Sequence, residues 1–234
     1  MTDDTYVTLA VEDGSEMRAY VAQPSVTPRA GIIVIQEAFG VNPYIRSVAD
    51  RFASEGYLAV APELFHRTAP GFESDYVNRD GVAENMAGLT LGGQEHDLRA
   101  AYEWLRTEGG VGERIATVGF CMGGKASYLA NAILPLKAAV SYYGGGIAPD
   151  LLDRAVNLNA PMLFFWGGKD AHIPRELWSQ IPEAMEQAGK SHITVEMGDA
   201  GHGFFCDQRD SYDPAASALA WPLTLQFLDQ KLSS

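Results

Sequence analysis

Apolar residues recur along the chain in two periods. Short runs with every or every second position apolar alternate with longer stretches in which apolar residues return every three or four positions, the marks of strands and of helices. Residues 5–11 (TYVTLAV) and 17–23 (MRAYVAQ), separated by Glu12-Asp13-Gly14-Ser15, predict an antiparallel hairpin at a sheet edge. Ala30 to Ile35 (AGIIVI) is continuously apolar, as a strand covered on both faces requires, and Tyr57 to Ala61 is the next strand. Between them Ile45, Val48, Ala49, Phe52 and Ala53 keep helical spacing until Gly56 stops it. From Pro62 to Gly93 both periods fade into Gly, Pro, Asn and charge, apart from a helical turn around Val82 to Leu89. An amphipathic helix then spans Gln94 to Thr107, with Leu98, Ala101, Tyr102 and Leu105 inward. The stretch from Arg114 to Ala130 passes from a strand (Ile115, Ala116, Val118, Phe120) into a helix (Lys125 to Ala132). Strands follow at Lys137 to Ser141, Pro161 to Trp166 and Ser191 to Met197, with helices at Arg175 to Ala188 and Asp213 to Leu232.

A hairpin followed by repeated strand–helix units folds, through right-handed crossovers, into a mostly parallel central sheet with helices on both faces: an α/β class. No Pro/Ser linker divides the 234 residues, so residues 1–234 are read as a single domain. Ligands bind such sheets beyond the carboxyl ends of the strands. The long stretch after residue 62 leaves one of those ends and is too long for a connector, which favours a lid or binding loop over an ornamental insertion.

Composition narrows the function. A chain with 47% hydrophobic and 20% charged residues is globular, and no apolar run is long enough to cross a bilayer. A net charge of −13 without any Lys/Arg cluster speaks against nucleic acid and anionic membrane as partners. The N-terminal MTDDTYVTLAVEDG lacks the basic and apolar regions of a secretory signal, so the default compartment is the cytoplasm. Cys121 and Cys206 stand in no CxxC or His/Cys zinc spacing and read as free thiols; neither a metal nor an organic cofactor is implied.

Candidate chemistry starts at Gly119-Phe120-Cys121-Met122-Gly123, a G-x-C-x-G between strand and helix. A nucleophile at such a turn needs small flanking residues, and the helix after it points free N–H groups at the sulfur; the Met122 N–H would serve as an oxyanion donor. A buried structural cysteine before a helix fits the pentapeptide equally well. Beyond the PMLFFW strand stands Asp170 (GGKD), and beyond the ITVEM strand stands His202 (GDAGHG). Singly these are a turn aspartate and a loop histidine. Together with Cys121 they give the order nucleophile, acid, histidine, each on the loop after its own strand, which is the α/β-hydrolase arrangement. His66, His96, His172 and His192 lack such a placement.

The motifs QEAFG at 36–40, GFCMGG at 119–124, GGKD at 167–170 and AGHGFF at 200–205 together resemble the dienelactone hydrolase family over nearly the full chain. The resemblance implies Cys121 as nucleophile, His202 as general base and acid, Asp170 as its orienter, and the N–H groups of Ala38 and Met122 as the oxyanion hole. It further implies that Glu37 holds the resting thiol and helps ionise it once substrate binds. Family members that hydrolyse dienelactone hold its carboxylate with two arginines. Arg79, on the long loop, matches the first; where the second is expected, four residues after His202, stands Cys206, and the nearest later arginine is Arg209. Phe39, Phe204 and Phe205 suggest an apolar pocket wall, or simply core. The sequence thus reads as a cysteine hydrolase of esters or lactones, with a general carboxylesterase as the alternative within enzymes. A silent hydrolase-fold protein that binds a small molecule or senses oxidants through Cys121 is the alternative outside them. Nothing in the sequence fixes the oligomeric state.

Overall fold

The computed structural model describes residues 5–233; Met1 to Asp4, part of the acidic N-terminal stretch, and Ser234 lie outside them. The chain forms two compact units, Met1–Ile115 and Ala116–Ser234.

In the first unit β1 (Tyr6–Ala10) and β2 (Glu16–Ala22) make the predicted hairpin, with Tyr6 opposite Tyr20 and Ala10 opposite Glu16. β2 lies antiparallel to β4 (Leu58–Pro62), and β4 runs parallel to β3 (Gly31–Ile35). Every residue of β3 and β4 is buried, which explains their unbroken apolar sequence. Helix α1 (Pro43–Ser54) starts where the sequence supplies a cap and a proline: the Asn42 side chain accepts from the Ile45 N–H, and Pro43 fills the first turn, where no N–H is needed. Helix α3 (Leu91–Arg106) begins three residues ahead of its apolar period. Its first turn, Leu91-Gly92-Gly93, buries nothing for a periodicity to register, and the start is set instead by Thr90, which accepts from the Gly93 N–H.

The long segment between β4 and α3 contains α2 (Val82–Gly88) and is tied down along its length. Glu63 Oε2 accepts from Gly71 N–H at 3.0 Å, Thr68 Oγ1 donates to Asn85 Oδ1 at 2.5 Å, and Arg46 pairs with Glu73. The strongest tie is at its start. His66 and Arg67 reach the two oxygens of Asp97 on α3, at 3.0 and 2.9 Å, and Arg67 also grips Asp13 of the hairpin turn. Asp97 is fully buried, and both of its oxygens are partnered, as a buried carboxylate requires. His66, unplaced by the sequence, is therefore an anchor of this segment.

The second unit opens with β5 (Ile115–Phe120), which pairs in parallel with β6 (Ala138–Tyr142), β6 with β7 (Met162–Gly167), and β7 with β8 (His192–Met197). All five residues of β6 are buried although successive side chains point to opposite faces, because α4 (Met122–Ile133) and α7 (Pro214–Leu232) both pack on it. The Tyr142 hydroxyl is bonded to Thr224 of α7 at 2.6 Å. The single helix predicted over 175–188 is two, α5 (Arg175–Trp178) and α6 (Gln180–Gln187). Pro182 is the physical reason: it has no N–H for the carbonyl of Trp178, and its ring would strike that carbonyl in a continuous helix. A short 3₁₀ segment, Leu152–Asn157, was not anticipated; it has no periodicity long enough to detect.

Asp97→Ala would leave buried His66 without its partner and Arg67 with Asp13 alone. A loss of about 3 kcal/mol in urea unfolding is expected. A loss below about 0.5 kcal/mol, the level of an ordinary surface substitution, would show that the cluster does not anchor the segment.

Candidate active site

β5 ends at Phe120 and α4 begins at Met122, so Cys121 alone makes the turn, at φ 54 and ψ −117. A non-glycine residue held there costs about 1–3 kcal/mol. Its neighbours make room. A Cβ on Gly119 would run into the Gly123 carbonyl, and one on Gly124 would lie 2.7 Å from Cα of Gly144 and from Ser141 Oγ. The turn is closed by two backbone bonds, Cys121 N–H to Tyr142 O at 3.0 Å and Gly124 N–H to Cys121 O at 2.9 Å. The Cys121 amide is thereby committed, whereas Met122, in the first turn of α4, has an N–H with no acceptor inside its helix.

The loops after β7 and β8 run backbone to backbone. Gly168 N–H donates to Met197 O at 2.8 Å and Lys169 N–H to Ala200 O at 2.9 Å, and a Cβ on Gly167 would meet the carbonyls of Ala200 and Gly201 at 2.6 and 2.7 Å. This approach sets Asp170 beside His202. Asp170 Oδ2 lies 2.7 Å from His202 Nδ1, and His202 Nε2 lies 3.2 Å from Cys121 Sγ. Since an ionised carboxylate can only accept, Nδ1 carries the proton, which leaves Nε2 to exchange one with sulfur. The other Asp170 oxygen accepts the N–H groups of His172 and Ile173 at 2.8 and 3.1 Å. Three side chains separated by 81 residues of sequence thus form one hydrogen-bonded chain within the second unit.

Burial pulls the His202 imidazolium down, but its hydrogen bonds to Asp170 and Cys121 and the charges of both outweigh that, and its pKa rises from 6.5 to about 9. Burial pushes the Asp170 carboxyl up; the His202 bond and charge and the two N–H donors overcome this and hold it below its usual 3.8. Among the described residues two aromatic rings touch His202: Tyr143, fully buried and itself at φ 39, and the exposed His172, with centroids at 5.1 and 5.2 Å. Neither contact was legible in the sequence.

Phe204 and Phe205 lie in the core of this unit, Phe204 against Tyr143 and Phe205 against Phe120 and Tyr142. Cys206 is fully buried as well. Arg209 lies over the backbone next to the histidine: a Cβ on Gly203 would stand 2.5 Å from its Cζ. Lys169 is paired with Asp199 at 2.7 Å on the surface.

In the first unit Glu37, immediately beyond Gln36 at the end of β3, is fully buried, so it is not a solvated loop carboxylate. The preceding Gln36 braces this turn, accepting from Leu64 N–H at 3.1 Å and donating to Glu37 O at 3.2 Å. Ala38 is half-buried. Phe39 packs on Tyr76 with centroids 4.7 Å apart, and the exposed Arg79 guanidinium sits 5.9 Å from the Phe39 ring. Arg79 and Phe39, selected for separate reasons, therefore stand together. Among the described residues no three His, Cys, Asp or Glu side chains converge as a metal site requires, and no helix is long and apolar enough to cross a membrane.

Comparison with known proteins gives concordant matches. The model of the dienelactone hydrolase family matches residues 17–232. A Synechocystis protein provisionally named carboxymethylenebutenolidase is 36% identical over 249 residues, covering 99% of this chain and 100% of its own. The carboxymethylenebutenolidase of Pseudomonas putida is 30% identical, with 92% of each chain covered. A crystal structure from Klebsiella pneumoniae, provisionally named a dienelactone hydrolase, superposes with a TM-score of 0.87 at 33% identity, covering 96% of this chain and 97% of that one.

The raised pKa of His202 predicts a pH signature. The stabilisation it represents is present in full below pH 6.5, the unfolded value, and is lost as the pH climbs through about 9. In an NMR titration the His202 ring should shift with a midpoint near 9, and Asp170→Asn should bring that midpoint down. A wild-type midpoint at 6.5 would contradict the ion-pair geometry.

Proposed function

The chain belongs to the dienelactone hydrolase family of α/β-hydrolases, and from that premise we propose that it is a single-domain cysteine hydrolase cleaving esters or lactones through Cys121, His202 and Asp170. The observation that carries the reading is the Cys121–His202–Asp170 hydrogen-bonded chain, with its sulfur raised on a strained turn at the start of a helix. In the proposed reaction His202 takes the thiol proton, and the thiolate attacks the acyl carbon. The negative charge moves to the carbonyl oxygen, for which the backbone N–H groups of Met122 and Ala38 are the proposed donors. Collapse expels the alcohol or enol oxygen, which receives the proton from His202, and leaves a thioester on Cys121. Water then loses a proton to His202 and attacks the thioester, and sulfur departs with the bonding pair. Because thiolate is itself a good leaving group, the first intermediate partitions forward best when the substrate oxygen leaves easily, as in enol lactones and activated esters.

We extend the proposal to Glu37 on its complete burial and its place in QEAFG: an acid shielded from water is suited to help ionise the thiol when substrate arrives. Phe39 and Arg79 are proposed to line the substrate side. Phe204, the other residue suggested for the wall, is fully buried in the core of the second unit. Cys121 and Cys206 are in no disulfide, which fits the proposed cytoplasmic location. A general carboxylesterase would use the same residues; an intact Cys/His/Asp arrangement argues against a silent binding protein.

Cys121→Ala should abolish turnover of a chromogenic ester while leaving the thermal midpoint nearly unchanged; near wild-type turnover would exclude the mechanism. Glu37→Gln should lower kcat/KM across pH 6–8, and an unchanged value would reduce Glu37 to a packing role. For specificity, buried Cys206 replaces the second carboxylate-binding arginine, so one charge-assisted contact, from Arg79, remains, worth about 1.5–3 kcal/mol. Between matched carboxylated and neutral substrates the preference should stay within about 100-fold and vanish in Arg79→Ala. A preference of about a thousandfold would mean that a second cation contributes. Arg67 is held by Asp13 and Asp97 and Lys169 by Asp199, and Arg209 lies beside the His202 loop.

A further inference from the structure

We propose that His172 is a positioning residue that covers the His202 imidazole on its solvent side by ring packing. The proposal rests on the assignment of His202 as the proton carrier. It starts from the tight turn Asp170-Ala171-His172-Ile173. Asp170 uses one oxygen for His202 and the other to accept the N–H groups of His172 and Ile173, so the acid itself folds the following chain back over its own partner. The turn is pinned at both ends by burial. Asp170 is 6% exposed and Ile173 7%, and the Ile173 side chain fills the space beside Gly145, where a Cβ would lie 3.3 Å from Ile173 Cδ1. Pro174 then fixes the exit. Between these pins the His172 ring lies against His202, at 5.2 Å and 75° between planes.

The two rings touching His202 come from different surroundings. Tyr143 is fully buried, so its ring bounds the imidazole from the interior. His172 is exposed, so its ring bounds the imidazole from solvent, and the His202 side chain is left only 11% exposed. Among the described residues the His172 imidazole has no hydrogen-bond partner, so what it contributes is surface. That surface limits the access of water to the Nδ1–H···Oδ2 bond and restricts rotation of the imidazole away from Sγ. A catalytic hydrogen bond is sensitive to both, because misplacement on the scale of an ångström can cost up to about a hundredfold in rate.

The test compares His172→Ala and His172→Phe with wild type, by kcat on a chromogenic ester and by the downfield proton resonance of His202 Nδ1–H. His172 is at the surface, so both variants are expected to fold, with thermal midpoints as the control. In His172→Ala kcat should fall about tenfold with little change in KM, and the Nδ1–H resonance should broaden by exchange with water. His172→Phe, which restores a ring without nitrogens, should recover both. Unchanged kcat and an unchanged resonance in His172→Ala would overturn the proposal. A Phe variant as impaired as Ala would also overturn it, since the nitrogens rather than the ring surface would then matter. The resonance does not depend on turnover, so it separates failure of this proposal from failure of the mechanism: if Cys121→Ala kept full activity while the His172 variants still moved the resonance, the mechanism alone would fall.

Discussion

Cys121 can stand at φ 54 because glycines two residues before it and three after it leave room: Gly119 faces the Gly123 carbonyl, and Gly124 faces Gly144. The strain at this one residue is held by the two backbone bonds that close the turn and by the packing of α4 against β6. Two consequences follow from the same geometry. The sulfur projects beyond the strand end, and the first N–H groups of α4 are left open beside it. Loss of any of these glycines would close the turn before chemistry entered into the question.

Around that point the electrostatics are mutually dependent. Asp170 stays ionised although buried because His202 and two backbone N–H groups share its oxygens, and the His202 pKa is raised against the pull of burial because Asp170 and Cys121 flank it. The two groups titrate as a coupled system, and removal of one partner moves the other. The backbone contact between the loops after β7 and β8, which requires glycine at 167 and 168, sets the spacing on which this coupling depends.

Much of this was legible in the sequence. β3 and β4 showed as unbroken apolar runs because both faces are covered, and the hairpin showed as two runs about an Asp-Gly turn. Cys121, Asp170 and His202 were legible because each follows a strand and is set among glycines, a local signal for a backbone that must pass close to another. What was not legible depended on contacts without a local pattern. His66 looked like a loop histidine, since its partner Asp97 lies 31 residues away on another element. His172 looked idle for a similar reason, its ring meeting one 30 positions later. The split between α5 and α6 could have been read from Pro182. Phe204 illustrates the opposite limit: phenylalanine beside a histidine motif suits a pocket wall and a core equally, and burial put it in the core.

The central claim is that acyl groups pass through a thioester on Cys121. Rapid acid quench of the enzyme with an activated ester, followed by intact-mass and peptide mass spectrometry, tests it most directly. The account predicts a transient mass increase equal to one acyl group, located on the peptide carrying Cys121, released by hydroxylamine and absent in Cys121→Ala. An acyl group trapped on another residue, or steady turnover by Cys121→Ala without any adduct, would contradict it.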